Sequence, residues 1–299
     1  MQNVEQQVFS SSNTPKLGVI TDGISRDFEY ALDTMVRTGL EYVELQYLWE
    51  KQVGELADAD VEQVKNLIEA RNLKVSCISH HNLAGIPVNT AVDAPAYQDQ
   101  LHTLQRCIDI AQTLGTNLVR IFSFQKEMVL FGAEPIVSEG AWITLLNRLE
   151  EPLQIAEAAN ITLVIETAIS SNITSALLAR KLIDELASKH LKVLWDPCSS
   201  LYCTEVPYPD GYEIIREHIA HIHLKDGIVN LPAATFDFCA MGQGQMPPYY
   251  TDIVNALKSD GYQGTISLES VYTPENGTRE DGFKESLPVF KELMESLRN

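Results

Sequence analysis

The sequence is short of basic residues. Its 299 residues include 22 Lys and Arg against 41 Asp and Glu, which gives a formal net charge of −19. A nucleic-acid partner requires a basic surface that displaces counterions from phosphates, and an anionic membrane surface attracts basic segments in the same way. We therefore expect this protein to bind neither nucleic acid nor a membrane. The excess of acid suits a protein that gathers carboxylates around a cation.

The sequence also lacks a disulfide pattern, a membrane-length apolar run and a signal-type start. Its five cysteines form no CxxC pair, so reduced thiols in a cytoplasmic protein are the simplest interpretation, with a Cys198–Cys203 redox pair as the weaker alternative. No apolar run approaches about 18 residues, the length that suggests a membrane span. Residues 1–15 are polar and acidic, and we expect a loose N-terminal extension rather than a signal peptide.

Short apolar, β-rich runs alternate with amphipathic helical patterns from residue 16 onward. The eight runs are residues 17–21, 42–45, 74–79, 118–122, 161–166, 191–196, 219–224 and 265–269. Strands joined through helices pair in parallel, because each crossover needs a helix. Eight such units over residues 16–299 predict a single α/β domain, a (β/α)8 TIM barrel. An open doubly wound sheet is the alternative, but no GxGxxG motif follows the first run.

The last four runs end in residues that carry chemistry, namely Glu166, Asp196, His223 and Glu269. In a barrel, the C-terminal ends of the strands converge on one rim, where active sites are built. Three carboxylates so close together would repel one another and raise each other's pKa unless a cation were present. Three oxygen donors and one nitrogen donor favour Mn²⁺, Mg²⁺, Co²⁺ or Zn²⁺. The spacing therefore predicts a site for one divalent metal ion.

Further polar side chains near the strand ends are candidate substrate contacts: Glu44, His80, His81, Arg120, Ser199 and Lys225. Arg120 lies in the fourth run, and a barrel interior seldom holds an unpaired charge, so we expect it to pair with an acid such as Glu44 or Glu166. Lys225 either reaches the substrate or pairs with an acid of the rim. His221 shares the side of its strand that carries His223, one layer deeper, and is interpreted as a core or supporting group.

The sequence resembles the xylose isomerase-like superfamily of sugar phosphate isomerases and epimerases over about residues 16–297. The segments that carry the resemblance are VIE at 164–166, LWD at 194–196, HIHLKD at 221–226, GQG at 242–244, GYQG at 261–264 and ISLE at 266–269. The resemblance implies one divalent metal bound by Glu166, Asp196, His223 and Glu269. It also implies that Glu166 and Glu269 are catalytic and transfer protons through a metal-bound enediolate.

The resemblance thus implies a metal-dependent sugar isomerase or epimerase whose substrate is a sugar, a sugar phosphate or a polyol-derived ketone. Ketose 3-epimerases of this superfamily carry a His where Ser199 stands, and an Arg shortly after the metal His that is missing here. A dehydratase of the inosose or dehydroshikimate type is therefore kept as the alternative enzyme, and a non-catalytic sugar-binding relative as the alternative outside catalysis. Family members are often dimers or tetramers, so the resemblance also allows a homo-oligomer.

Overall fold

The barrel strands are short runs whose side chains alternate between the surrounding helices and the barrel interior. The computed structural model describes residues 15–126, 138–230, 232–233 and 235–298. Within these ranges, eight parallel strands pair in chain order, and the last pairs with the first to close a barrel. The predicted TIM barrel is confirmed, and the open-sheet alternative is wrong. The strands are β1 (Lys16–Ile20), β2 (Tyr42–Leu45), β3 (Lys74–Ile78), β4 (Leu118–Ile121), β5 (Thr162–Glu166), β6 (Leu191–Trp195), β7 (Ile219–Leu224) and β8 (Thr265–Leu268).

Helices connect the strands and cover the outside of the barrel. Local signals set their ends: the Asp27 carboxylate accepts a hydrogen bond from the Tyr30 amide at the start of the first helix, and Gly39 ends that helix with φ of 74°. The described helices are α1 (Phe28–Thr38), α2 (Asp58–Glu69), α3 (Pro95–Leu114), α4 (Glu139–Ala158), α5 (Ala176–Leu186), α6 (Pro197–Tyr202), α7 (Tyr212–Ile215), α8 (Pro247–Ser259) and α9 (Arg279–Arg298). None of these helices is long and apolar enough to cross a membrane. The predicted extension over residues 1–15 lies outside the described residues, apart from Pro15.

The strands separate an apolar outer layer from a largely polar interior. Leu163 and Ile165 belong to the main core between sheet and helices, so Val164 faces the barrel interior by alternation. Val164 packs there with Cys77 and Leu194 in a small apolar cluster of its own. Polar side chains fill the neighbouring interior positions with at most 1% exposure: Glu44, Arg120, His221, His223 and Ser267. The interior therefore holds charges that must be paired with one another.

A two-stranded hairpin, Asp226–Asn230 with Thr235–Cys239, follows β7 directly. Asp226, the last residue of the HIHLKD segment, anchors the chain beyond this hairpin. Its carboxylate accepts hydrogen bonds at 3.0 Å from the amides of Gly242, Gly244 and Met246, and one at 2.9 Å from that of Gly227. A Cβ at position 244 would lie 2.2 Å from the Asp226 Oδ1 atom, so this turn requires glycine. The HIHLKD and GQG segments thus form one structural unit at the rim.

Candidate metal centre and active site

Three of the four predicted metal ligands meet at the C-terminal rim of the barrel. Glu166 ends β5, His223 is the penultimate residue of β7, and Glu269 directly follows β8. One donor atom from each lies within 4.8 Å of the other two. The His223 Nδ1 atom is 3.5 Å from Glu166 Oε1 and 3.3 Å from Glu269 Oε2. The arrangement offers two carboxylates and one imidazole around a common point.

Glu44 lies on the other side of the His223 ring and joins it to His221. Its carboxylate oxygens are 2.8 Å from His223 Nε2 and 2.7 Å from His221 Nε2, and the Ser79 hydroxyl also donates to it. Burial by itself would raise the pKa of Glu44, but the imidazoles of His223 and His221 outweigh it and hold that pKa well below its ordinary value. Glu44 is therefore an anion that accepts the Nε2–H of His223. The opposite ring nitrogen, Nδ1, faces Glu166 and Glu269.

The cluster around His223 attracts positive charge. Burial would lower the pKa of His223, yet the carboxylates of Glu44 and Glu269 outweigh it and raise that pKa well above its ordinary value. Within the part of the chain that the structure describes, the buried Nδ1 atom nevertheless has no hydrogen-bond partner of acceptable geometry. A proton or a divalent cation at Nδ1 would supply positive charge that balances the negative charges of Glu166 and Glu269. The donor set, O, N and O, suits such a cation.

Arg120 holds Glu166 in place from the barrel interior. Its Nη1 atom lies 3.0 Å from Glu166 Oε2, and its Nη2 donates to the carbonyl of Ser79. The guanidinium also lies 4.9 Å from the centre of the Phe122 ring. Burial would raise the pKa of Glu166, but Arg120 and His223 outweigh it and lower that pKa. Of the two partners expected for Arg120, the structure therefore pairs it with Glu166.

Asp196, the fourth predicted ligand, is linked to the other three through Lys225. The Lys225 ammonium lies 2.8 Å from Asp196 Oδ2 and 2.6 Å from Glu269 Oε2. Asp196 also accepts from the amides of Cys198 and Ser199 at the start of α6 and from the Ser199 hydroxyl at 2.5 Å. Burial would lower the pKa of Lys225, but Asp196 and Glu269 outweigh it and raise that pKa well above its ordinary value. Lys225 and Ser199 thus contact the rim acids themselves.

The two histidines that follow β3 face different surroundings. His81 stacks on Phe122, with ring centres 5.7 Å apart, and lies 3.1 Å from the side-chain amide of Gln46. His80 instead packs beside Gly54, where a Cβ would lie 2.8 Å from its ring. Burial lowers the pKa of each histidine to about 4, with Arg120 adding to the effect, so both are neutral at pH 7. Of the two histidines, only His81 lines the cavity that opens beside Glu269.

A cavity of about 350 Å³ opens beside Glu269, between the segments that follow β1, β2 and β8. Among the residues proposed from the sequence, Glu269 and His81 line it. The other lining residues are Ile20, Asp22, Gly23, Arg26, Gln46, Tyr47, Ser270, Val271 and Arg279. Asp22 and Arg26 follow β1 at the same rim, a position that the strand-end rule could have flagged. A larger hollow of about 740 Å³ lies at the N-terminal ends of the strands and contains none of the predicted site residues.

Fold and site together define a (β/α)8-barrel protein with carboxylate and imidazole donors on its C-terminal rim. Residues 32–293 match the model of the xylose isomerase-like TIM barrel family. Because the match covers most of the sequence, the chain belongs to this family. The predicted resemblance is confirmed at the level of the family.

Individual relatives are more distant. The chain is 21% identical over 290 residues to an inosose dehydratase of Geobacillus thermodenitrificans, covering 88% of this chain and 91% of that protein. An L-ribulose 3-epimerase structure superposes with a TM-score of 0.71 at 17% identity, covering 95% of this chain and 96% of the other. A xylose isomerase-like TIM barrel protein of Mycobacterium smegmatis in complex with magnesium superposes with a TM-score of 0.66 at 16% identity, covering 95% and 100%. These likenesses establish the fold that the chain shares with epimerases.

Proposed function

We propose that this protein is a divalent-metal-dependent enzyme that transfers a proton at the carbon next to a carbonyl, in a sugar or a polyol-derived ketone. The observation that carries the proposal is the buried His223 Nδ1 atom, which lies within 3.5 Å of both Glu166 and Glu269 and finds no hydrogen-bond partner of acceptable geometry among the described residues. Two carboxylates on opposite sides of one reacting centre are the groups that proton removal and return require. The family and its epimerase and dehydratase relatives support the same chemistry.

Glu166, His223 and Glu269 would hold the cation, and Asp196 would join them when Lys225 releases its carboxylate. The candidates remain Mn²⁺, Mg²⁺, Co²⁺ and Zn²⁺, and a structural neighbour was obtained with magnesium. A cation at this point would polarise the substrate carbonyl and stabilise the negative charge that proton removal leaves on its oxygen. The Glu44 carboxylate would keep the Nδ1 atom of His223 directed at the cation, as carboxylate partners of ligating histidines do.

The two glutamates have different surroundings and take different parts in the reaction. Glu269 lines the open cavity, and its side chain is 12% exposed, whereas that of Glu166 is 4% exposed and tied to Arg120. We assign proton removal to Glu269, which meets the incoming substrate. Glu166, an anion in the free protein, would take up a proton from water and deliver it from the opposite side of the substrate, and Glu269 would lose its proton to solvent to restore the starting state. Return to the opposite face of the same carbon is epimerisation, and return to the neighbouring carbon is isomerisation.

A dehydratase is the second candidate function, and the inosose dehydratase relative favours it. Removal of the same proton can be followed by loss of a hydroxyl from the next carbon, with the proton that Glu269 has taken up transferred to the leaving hydroxyl to form water. The sequence also differs from the ketose 3-epimerases at two positions: Ser199 stands where they carry a His, and the Arg that they carry shortly after the metal His is absent. Both differences favour the dehydratase. The two candidates share the site and differ in the product.

An NMR experiment in D₂O tests the proposal. Purified protein is loaded with Mn²⁺, Mg²⁺, Co²⁺ or Zn²⁺ in turn and incubated with ketoses, ketose phosphates, inososes and 3-dehydroshikimate. After removal of the metal, the spectra are recorded. Deuterium at the carbon next to the carbonyl supports proton transfer, and loss of water identifies the dehydratase. Binding without exchange or water loss across all compounds would leave a non-catalytic sugar-binding protein.

Glu269→Gln is the matched test of the proposed base. The amide cannot accept a proton, so we expect turnover to fall by at least about a thousandfold and metal affinity to weaken, with the fold retained. Glu62→Gln, on the exposed face of α2, is the control for the same chemical change far from the rim. Full activity of Glu269→Gln would remove Glu269 from the mechanism.

A further inference from the structure

The cavity beside Glu269 has two guanidinium groups in its wall. Arg26 lies between β1 and α1, and Arg279 is the first residue of α9, beyond β8. Both side chains line the same cavity as Glu269. They are half-exposed, at 47% and 49%, so their charged ends are accessible to a molecule that enters there. The two residues are far apart in the chain, and no sequence motif connects them.

Arg279 is fixed from behind by a buried acid. Its Nη1 atom lies 3.1 Å from Asp22 Oδ2, and the second oxygen of Asp22 lies 3.3 Å from the amide of Tyr47. Asp22 itself is only 2% exposed, so it is part of the cavity wall. An arginine has five N–H donors, and a single nitrogen contact to Asp22 leaves other donors of the planar group for a ligand.

Arg26 is fixed by an aromatic ring and by the backbone. Its guanidinium carbon lies 4.8 Å from the centre of the Tyr47 ring, and its carbonyl accepts a hydrogen bond of 2.7 Å from the Trp49 amide. The Nη1 atom of Arg26 also forms an ion pair with Glu50 Oε2 at 3.2 Å, and the side chain of Glu50 is 85% exposed. An ion pair with so exposed a partner is weak, and an anion in the cavity can replace Glu50 at little cost.

Two arginines, Arg26 and Arg279, and two acids, Asp22 and Glu269, line the cavity. Asp22 forms an ion pair with Arg279 at 3.1 Å, and Glu269 forms one with Lys225 at 2.6 Å. His81 is neutral, because burial and Arg120 lower its pKa to about 4. Arg26 makes its ion pair outside this set, with the exposed Glu50, so its guanidinium is accessible to an anion that enters the cavity.

We propose that the substrate carries a carboxylate or a phosphate, which Arg26 and Arg279 bind while its keto end faces Glu269. This inference rests on the proposed function, because it places the reacting carbon at Glu269. Two oxygens of either group fit the fork of a guanidinium. The volume of about 350 Å³ is within the range of small-ligand sites and accommodates a six-carbon compound with one such group. A neutral ketose would leave Arg26 with only the exposed Glu50 as its ion-pair partner.

The first experiment compares matched neutral and anionic compounds with the metal-loaded protein. Fructose is compared with fructose 6-phosphate, and an inosose with 3-dehydroshikimate, by calorimetry and by deuterium exchange. We expect one anionic compound to bind 10- to 100-fold more tightly than its neutral counterpart, since a hydrogen bond to a charged group contributes about 1.5–3 kcal/mol. The phosphate pair and the carboxylate pair identify which anionic group is recognised. Inorganic phosphate and acetate, titrated alone, give a readout that needs no turnover.

The second experiment removes the guanidinium groups. Arg26→Met should raise KM for the anionic compound 10- to 100-fold with a much smaller effect on kcat, and should leave neutral compounds unaffected. Arg279→Met alone would leave the buried Asp22 carboxylate without its ion-pair partner. The double variant Asp22→Asn with Arg279→Met is therefore used, because it removes both charges together. Arg180→Met, an exposed arginine paired with Asp184 on α5, is the control.

Each outcome separates this inference from the proposed function. If neutral compounds exchange deuterium as well as anionic ones and Arg26→Met changes neither KM, the anionic substrate is wrong while proton transfer stands. If no compound exchanges but anions bind and Arg26→Met weakens that binding, the anion site stands and the proposed enzyme falls. If the metal-loaded protein binds none of the anions, the inference is overturned.

Discussion

Replacing Glu44 by glutamine tests how the barrel interior orients His223. The change keeps the size of the side chain and converts one acceptor oxygen into an NH₂ donor. In the native protein both oxygens accept, from His223 at 2.8 Å and from His221 at 2.7 Å. The new NH₂ group must face one of these imidazole nitrogens, and that nitrogen must then give up its hydrogen. When His223 is the partner, its Nε2 loses the hydrogen, and the hydrogen that remains on the ring is at Nδ1, the atom that faces Glu166 and Glu269.

The size of the effect follows from the contacts that are lost. Hydrogen bonds to a buried charged group contribute about 1.5–3 kcal/mol each, and Glu44→Gln loses at least one of them. The partners of a ligating histidine typically change metal affinity by about 10- to 100-fold, which is about 1.4–2.7 kcal/mol. Both estimates give a loss of about 2 kcal/mol. We therefore expect Mn²⁺ affinity to fall by 10- to 100-fold.

Calorimetric titration with Mn²⁺ measures the affinity, and ¹⁵N NMR of the metal-free protein reports which nitrogen of His223 carries hydrogen. Glu44→Asp keeps the charge on a shorter side chain and serves as the second variant if Glu44→Gln does not fold. Glu62→Gln on α2 is again the control. Native Mn²⁺ affinity in Glu44→Gln, together with an unchanged His223 spectrum, would refute the idea that Glu44 orients the ring.

Three further predictions concern other buried titratable groups. Lys225→Met should lower the melting temperature of the metal-free protein and raise Mn²⁺ affinity at least tenfold, because Asp196 no longer has an ammonium partner; calorimetry showing unchanged affinity would contradict it. Arg120→Met leaves Glu166 buried and unpaired and should cost about 3–5 kcal/mol in urea unfolding at pH 7, with Arg120→Lys recovering part of the loss. The pKa of His80 falls from 6.5 in the unfolded chain to about 4 on folding. Because the unfolded state then binds more protons, stability is present above pH 6.5 and falls by up to about 3 kcal/mol towards pH 4. His80→Gln should reduce that pH dependence in unfolding curves measured from pH 7 to pH 4, and an unchanged slope would count against it.

The strand positions follow from local sequence and are accordingly well predicted. The run over residues 191–196 becomes β6, Leu191–Trp195, and the run over 161–166 becomes β5, Thr162–Glu166, which ends at Glu166 as expected. A strand that is buried on one or both faces needs apolar residues at alternating or successive positions, and this hydrophobic pattern is visible within a few residues. Because a closed barrel brings all strand ends to one rim, the strand positions also predict that Glu166, His223 and Glu269 lie close together.

The pairing of side chains at the rim could not be predicted from the sequence in the same way. Alternation along β7 places His221, His223 and Lys225 on the same side of the strand, but it does not identify their partners. Lys225 contacts residues 29 and 44 positions away, on different strands. The Arg26 and Arg279 pair is harder still, because both residues lie in connecting segments without a periodic pattern. Such contacts depend on how the whole barrel closes.

Two of the acids at the rim are held by partners that stay in place, and two share a lysine that a cation can replace. This difference supports the roles assigned to them. Glu166 is held by the guanidinium of Arg120, and Glu44 holds the His223 ring, all with little exposure. Glu269 and Asp196 share the ammonium of Lys225, which also lies 5.5 Å from the Phe238 ring of the hairpin. A flexible ammonium beside an aromatic face can leave the carboxylates without losing all favourable contacts. A cation that enters the cluster would therefore displace Lys225 from Glu269 and Asp196, whose carboxylates could then bind the cation, and would leave Arg120 in place on Glu166.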